Sequence, residues 1–460
     1  MDKEGIKALE NLKFESEIAD KNPDMVRTKK SFENKVNPAE DETLEEYIQE
    51  YINEGIIEFD ENQRLVFKDL EGAKDEVYGS VDKVYDSYRE HYHLTDFRKV
   101  DLLLSTLLSV DSADKNIWLI YVGASGVGKS LMTNPIKYVE YPDTENLAHL
   151  VSDLTTNTIV SGQGGQETDL APKLDGKIMY VPDFSTVVGK RSEDQREIFS
   201  QLRNLYDGIA KKDTGSHGEN PDYQVDVSFI GNVTPAIYKK NLIHQDMGTR
   251  FLYYQINDFQ EREVMDKILE GSDKGEEEKS KEIAEVIEKF IYQADEREIE
   301  TISDEVKQEL KTIAKWTAKM RASGEFDRYN NELKGTITPE KPTRILKQFR
   351  KIYVNLKKLR KNYPDDRALS IIQKIGASNI DPDKRQIYIE IDTTEGLELT
   401  DLVDRMGIGR KAIKRRLLEM ENVGIVKTEI NYKADSDRLT YGAWSITEEF
   451  ENLADEFTPE

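Results

Sequence analysis

Apolar residues fall along this chain in two patterns, short unbroken runs and stripes at helical spacing, and their alternation predicts an α/β protein. The strongest run is Ile117, Trp118, Leu119, Ile120, Tyr121 and Val122, a buried strand. Lys177-Ile178-Met179-Tyr180-Val181 reads as a second strand, 225–231 as a third, and Phe251-Leu252-Tyr253-Tyr254 as a fourth. Stripes predict helices between them. Val81, Val84, Tyr85 and Tyr88 share one face, as do Ile198, Leu202, Leu205 and Tyr206 in 192–207. Further on, Val306, Leu310, Ile313 and Trp316 mark a helix over 303–321, and Ile345, Phe349, Ile352, Leu356 and Leu359 one over 344–359. Near the start, a stripe in 43–54 precedes an expected hairpin over 56–67 that turns at Asp60-Glu61-Asn62, and residues up to about 37 read as a polar arm or a helix that needs a partner.

The strongest run feeds Gly123-Ala124-Ser125-Gly126-Val127-Gly128-Lys129-Ser130, which has the spacing G-x-x-x-x-G-K-[ST]. Such a loop wraps backbone N–H groups around a nucleotide's phosphates, places Lys129 on the β- and γ-phosphates and gives the Ser130 hydroxyl to Mg²⁺. A helix over 131–139 should follow, with its N-terminus toward the anion. A nucleotide polyphosphate and Mg²⁺ are therefore the expected ligands.

Composition narrows the remaining chemistry. The 460 residues allow two or three domains, and with no cysteine, disulfides, thiolate metal sites and cysteine nucleophiles are excluded. Only His91 and His93 of the five histidines lie close together, which argues against zinc. No apolar run approaches a membrane span, and the first residues carry no apolar leader, so the expected compartment is the cytoplasm with no membrane partner. A formal charge of −25 opposes nucleic-acid adsorption by the molecule as a whole, so DNA binding would need local basic surface.

Other candidate groups stand at strand ends. Asp183 follows the second strand, where a carboxylate can hold Mg²⁺ or orient water, or cap the Phe184-Ser185-Thr186 turn. Asn232 ends the third strand, within reach of a γ-phosphate or its attacking water. Arg250 precedes the fourth, as a salt-bridging residue or a cation for phosphoryl charge. The Gly-rich stretch 161–168 is a functional loop or a connector, and Lys211-Lys212 reads as a hairpin tip or an ordinary solvated loop. At the far end, a helix over 399–406, the turn Gly407-Ile408-Gly409, a helix over 410–422 and strands at 425–430 and 438–446 have the layout of a winged helix-turn-helix. Its second helix carries Arg410, Lys411, Lys414, Arg415 and Arg416. These cannot all face one side, so some are expected on DNA phosphates and others in water, and the domain could instead serve as a packing module.

Phosphate loop, acidic strand end, Asn-tipped strand and Arg, in this order, resemble the ATPase core of the AAA+ class over residues 94–257. The resemblance implies a parallel-sheet P-loop core with a helical lid, Asn232 as first sensor, Arg250 as an arginine finger given to the neighbouring subunit, and Arg344 as second sensor. With the insert at 161–168 and the C-terminal domain, the order is similar to that of minichromosome-maintenance helicases, and the run from Ser152-Asp153-Leu154-Thr155 to Thr249-Arg250-Phe251-Leu252 also resembles ATPases carried by plasmids and viruses. That likeness implies a homo-oligomeric ring, a hexamer, in which 161–168 and 211–218 line a pore and grip DNA. One departure is plain: the family's Asp-Glu pair is Pro182-Asp183 here, leaving one carboxylate for two jobs, with Glu167 and Asp169 as unranked substitutes. The expected organisation is an N-terminal module (1–77), an ATPase core (78–258), a helical lid (259–391) and a winged helix (392–460). The expected function is an ATP-driven DNA motor, the alternative a replication initiator or nucleotide-switched DNA-binding regulator.

Overall fold

The computed structural model describes residues 80–110, 116–140, 146–160, 169–211, 222–239, 247–257, 261–270, 274–295, 297–299, 301–327, 329, 332–394, 396–433 and 438–454, and before them an antiparallel pair, Ile57–Phe59 (β1) and Leu65–Phe67 (β2). The arm up to 37, the helix expected over 43–54, the loop 161–168 with Glu167, and Lys212 with its hairpin tip lie outside the described residues.

The molecule is α/β, built on a five-stranded parallel sheet with helices against it. Its strands are Trp118–Val122 (β3), Ala148–Leu150 (β4), Lys177–Val181 (β5), Val227–Val233 (β8) and Leu252–Gln255 (β9), in the order β4-β5-β8-β3-β9. Between β5 and β8 the chain makes a small antiparallel pair, Ile209–Lys211 (β6) and Asp222–Gln224 (β7). β3 shows why the sheet is central. All five of its residues are buried, and successive side chains enter opposite faces: Leu119 and Tyr121 join one apolar cluster, Trp118, Ile120 and Val122 the other. On the second face Trp118 lies 5.4 Å from Phe229, 5.3 Å from Phe251 and 5.3 Å from Tyr206, ring centre to ring centre, and its Nε1 donates to Val227 O at 2.8 Å. The indole therefore fixes β3, β8 and β9 against the helix Ser192–Tyr206 (α4 in the order below).

The other face is covered by Val81–His91 (α1) and Arg98–Leu107 (α2), which precede β3, and by helices from the second half of the chain. The helix expected over 131–139 is shorter than its pattern: Lys129–Thr133 (α3) is α-helical, and Asn134–Tyr138 continues as a 3₁₀ turn, because Pro135 has no N–H for an α-helical bond. After α4 come Glu276–Asp295 (α5), Asp304–Arg321 (α6), Thr343–Lys358 (α7), Asp365–Ser378 (α8) and Pro382–Asp392 (α9). Ser303 starts α6 by accepting from Val306 N at 3.2 Å. Buried Asp101 on α2 ties this layer together. It accepts from Tyr85 on α1, from the Tyr363 hydroxyl at 2.6 Å and from Arg367 Nη2 on α8 at 2.7 Å.

The chain ends in Leu399–Met406 (α10), Arg410–Asn422 (α11) and an antiparallel hairpin, Val426–Lys433 (β10) with Arg438–Ile446 (β11). This part shares one apolar cluster with the helical layer: Trp316 of α6 meets Tyr388 of α9 edge-on at 5.3 Å, and the Tyr388 hydroxyl donates to Phe450 O. Among the described residues no helix is long and apolar enough to cross a membrane.

Candidate functional site

The loop 123–130 leaves the carboxyl end of β3, beside the switch point where the chain crosses to β4 on one side while β9 lies on the other. Gly126 (φ +87°) and Gly128 (φ +80°) take left-handed backbone, which costs a residue with a side chain about 1–2 kcal/mol and lets successive N–H groups turn to one side. Lys129 opens α3, and its Nζ donates to Gly123 O and Ala124 O, both at 2.7 Å. Burial holds its pKa below the ordinary lysine value, and the negative charge of Asp183 opposes that shift. Ser130 is exposed beside it.

A cleft of about 450 Å³ opens over this loop, walled by Lys129, Ser130, Pro182, Asp183, Asn232 and Thr234 among others. Three strands deliver them. Because β8 lies between β3 and β5, its Asn232 falls between the loop and Asp183. Asp183 both faces the cleft and caps the next turn, since its Oδ1 accepts from Ser185 N at 3.0 Å. Asn232 is 2% exposed. Its Nδ2 donates to Thr133 Oγ1 at 2.8 Å, while its Oδ1 is buried with no partner among the described residues. Asp169 does not join this set: it is buried, accepts from the Tyr223 hydroxyl at 2.9 Å and is absent from the cleft wall.

Arg250 and Arg344 also lie outside the cleft wall, and they lie together. Both stand close enough to Tyr206 for their charges to pull against the burial that pushes its hydroxyl up to about 12. Arg250 sits 5.6 Å over the Tyr206 ring and pairs with Asp207 at 2.8 Å. Arg344 flanks the same segment, with Nη1 only 3.6 Å from where a Cβ on Gly248 would be. The backbone before Arg250 is clamped from the helical layer: Arg321 Nη2 donates to Gly248 O at 2.7 Å, and Gln348 Nε2 to Thr249 O at 2.6 Å. Glu340 takes Arg321 Nε at 3.2 Å and Thr249 Oγ1 at 3.4 Å.

Of the basic residues, Lys211 is exposed at the end of β6, and Arg410 and Lys411 are exposed in the first turn of α11. The rest of the α11 cluster makes internal contacts. Lys414 Nζ sits 5.1 Å over the Tyr441 ring, Arg415 5.1 Å over Phe326, and Arg416 bonds Asp381 at 3.1 Å and Glu419 at 3.3 Å. His91 is likewise engaged, with Nε2 2.9 Å from Glu282.

No family model matches the chain, and no curated protein matches it.

Turned N–H groups and a lysine favour a polyanion, and a serine hydroxyl with a carboxylate offers the oxygen donors a hard divalent cation takes. Sequence reasoning missed Thr133 and Tyr180 beneath Asn232, and Arg321 and Glu340 behind Arg250. Thr133 and Tyr180 sit at core-like positions, and Arg321 reads as an ordinary charge at a helix end.

Proposed function

We propose that this chain is an AAA+-like ATPase that works on DNA as a ring, binding ATP and Mg²⁺ in the cleft and completing each cleft with arginines from the next subunit. One observation carries the reading: Lys129, Ser130, Asp183 and Asn232 converge on the cleft, whereas Arg250 and Arg344 are gathered at Tyr206, outside that wall. A phosphoryl-transfer site needs cationic charge where negative charge develops. Two arginines clustered elsewhere suit a head-to-tail assembly that brings them to a neighbour's nucleotide.

Mg²⁺, when bound, would neutralise charge on the β- and γ-phosphates. Ser130 and Asp183 would hold it, the loop N–H groups and Lys129 would hold the phosphates, and Asp183 and Asn232 would orient the water. Arg250 and Arg344 would stabilise the transition-state charge in the neighbour. The layout of α10, the turn, α11 and the β10–β11 hairpin supports a winged helix-turn-helix that meets DNA through Arg410 and Lys411, with Lys211 on a second surface.

A nucleotide-switched initiator or DNA-binding regulator is the second reading. It is favoured by the single carboxylate at the end of β5, which would slow turnover. ATP hydrolysis with and without DNA tests the shared part. Lys129→Ala should remove it, and wild-type protein with no affinity for adenine nucleotides would sink both readings. Strand displacement on a forked duplex separates them, because only the motor needs continuous turnover.

A further inference from the structure

Beneath the cleft, three side chains from three elements meet at one hydroxyl. Thr133 Oγ1, in the last residue of α3, lies 3.0 Å from Lys129 O, 2.8 Å from Asn232 Nδ2 on β8 and 2.8 Å from the Tyr180 hydroxyl on β5. The Tyr180 hydroxyl also lies 3.0 Å from Asn134 Oδ1. The proton count around this node is restrictive. Lys129 O can only accept, so the single Thr133 proton goes to it, a back-bond common for threonine in helices. Thr133 then offers only lone pairs to its other neighbours, so the amide group facing it must be the NH₂ of Asn232. The carboxamide oxygen is thereby turned away from Thr133, and it is the buried atom left without a partner among the described residues. Burial pushes the Tyr180 hydroxyl up to about 12, so it stays a donor at any working pH and can give its proton to Thr133 or to Asn134.

Resting on the ATPase reading above, we infer that Thr133 and Tyr180 are positioning residues that fix the Asn232 carboxamide with its oxygen as the free group, where it accepts a proton of the attacking water and takes the place of the second carboxylate that β5 lacks. Asp183 would otherwise serve both Mg²⁺ and the water while one of its oxygens also holds Ser185 N. A donor facing the γ-phosphate would leave that water with one acceptor; an oxygen gives it two. The same node starts at the carbonyl of Lys129, so the loop lysine and the water-orienting amide are set by one threonine.

The test is steady-state ATP hydrolysis by the full chain with Mg²⁺, alongside titration of a fluorescent, non-hydrolysable ATP analogue. Thr133→Val keeps the shape and removes the hydroxyl. It should lower kcat about tenfold or more, as expected for a lost water-orienting contact, while Kd for the analogue stays within about threefold. Thr133→Ser, which keeps the hydroxyl, should recover most of the loss, and Tyr180→Phe should fall between. Asn232→Asp keeps an acceptor in place and should retain more hydrolysis than Asn232→Ala. Unchanged kcat in Thr133→Val, a parallel loss of kcat and analogue affinity, or Asn232→Asp as inactive as Asn232→Ala would each overturn the inference while leaving the ATPase reading standing. Wild-type protein that binds no nucleotide would overturn both.

Discussion

Lys384 and Glu419 form an ion pair with both side chains 3% exposed, at 2.9 Å, where α9 meets α11. Burial pushes the Lys384 ammonium below its ordinary pKa, and the Glu419 charge opposes the shift. A buried pair adds little net stability against an apolar replacement, but removing one partner strands the other. Lys384→Met should therefore cost about 3 kcal/mol in denaturant unfolding, the low end of the usual range of about 3–5, because Arg416 and Gly324 N still reach the carboxylate. Adding Glu419→Leu should recover part of that cost, and no loss in the single variant would contradict the account. Arg416 shows what the sequence could not resolve at this scale. Five cations in seven positions leave the facing of each one open, and only packed helices decide that Arg416 turns to Asp381 while Arg410 and Lys411 face solvent. By contrast, the left-handed turns at Gly126 and Gly128 were legible in the spacing of the loop, since backbone with φ near +80° favours glycine.

At the scale of elements, β3 was the easiest to read, because a strand buried on both faces has no polar residue to interrupt it. Its neighbours were less legible. Strand order comes from crossovers, and nothing local tells that β8 separates β3 from β5 and so sets Asn232 beside Asp183. The end of α3 was written in the chain at Pro135, yet the apolar stripe runs past it. The clamp on the Arg250 segment was invisible, because Arg321, Glu340 and Gln348 meet Gly248 and Thr249 only after α6 and α7 pack. That clamp gives a prediction at this scale. Arg321 touches nothing in the cleft wall, so Arg321→Ala should leave nucleotide affinity within about threefold. On the proposed role of Arg250 it should reduce kcat by ten- to a hundredfold, because displacing a catalytic group by about 1 Å costs on the order of a hundredfold. Arg321→Lys should recover little, since an ammonium cannot span Gly248 O, Glu340 and Asn379 O together. Equal losses of affinity and kcat would point to general loosening instead.

For the whole molecule, the proposal turns on whether a second subunit adds positive charge to the cleft. One apolar cluster runs from α1 and α2 through the helical layer to the C-terminal hairpin, so these elements share a core rather than hang on linkers. Movement of the helical layer would then reach the Arg250 segment through Arg321 and the C-terminal part through Trp316 and Tyr388. This continuity was not legible along the chain, because stripes predict helices and not which helices share a core. The proposed coupling from nucleotide to DNA depends on it, and depends more on the cleft being finished by another subunit. The most direct measurement is ATP hydrolysis by a mixture of two inactive variants. Lys129→Ala lacks a working cleft but keeps its arginines, and Arg250→Ala keeps the cleft but lacks the donated arginine. Neither alone should hydrolyse ATP, and an equimolar mixture should regain a substantial fraction of wild-type activity, because clefts of one variant meet arginines of the other. A mixture no more active than its parts, or an Arg250→Ala protein as active as wild type, would contradict the shared site.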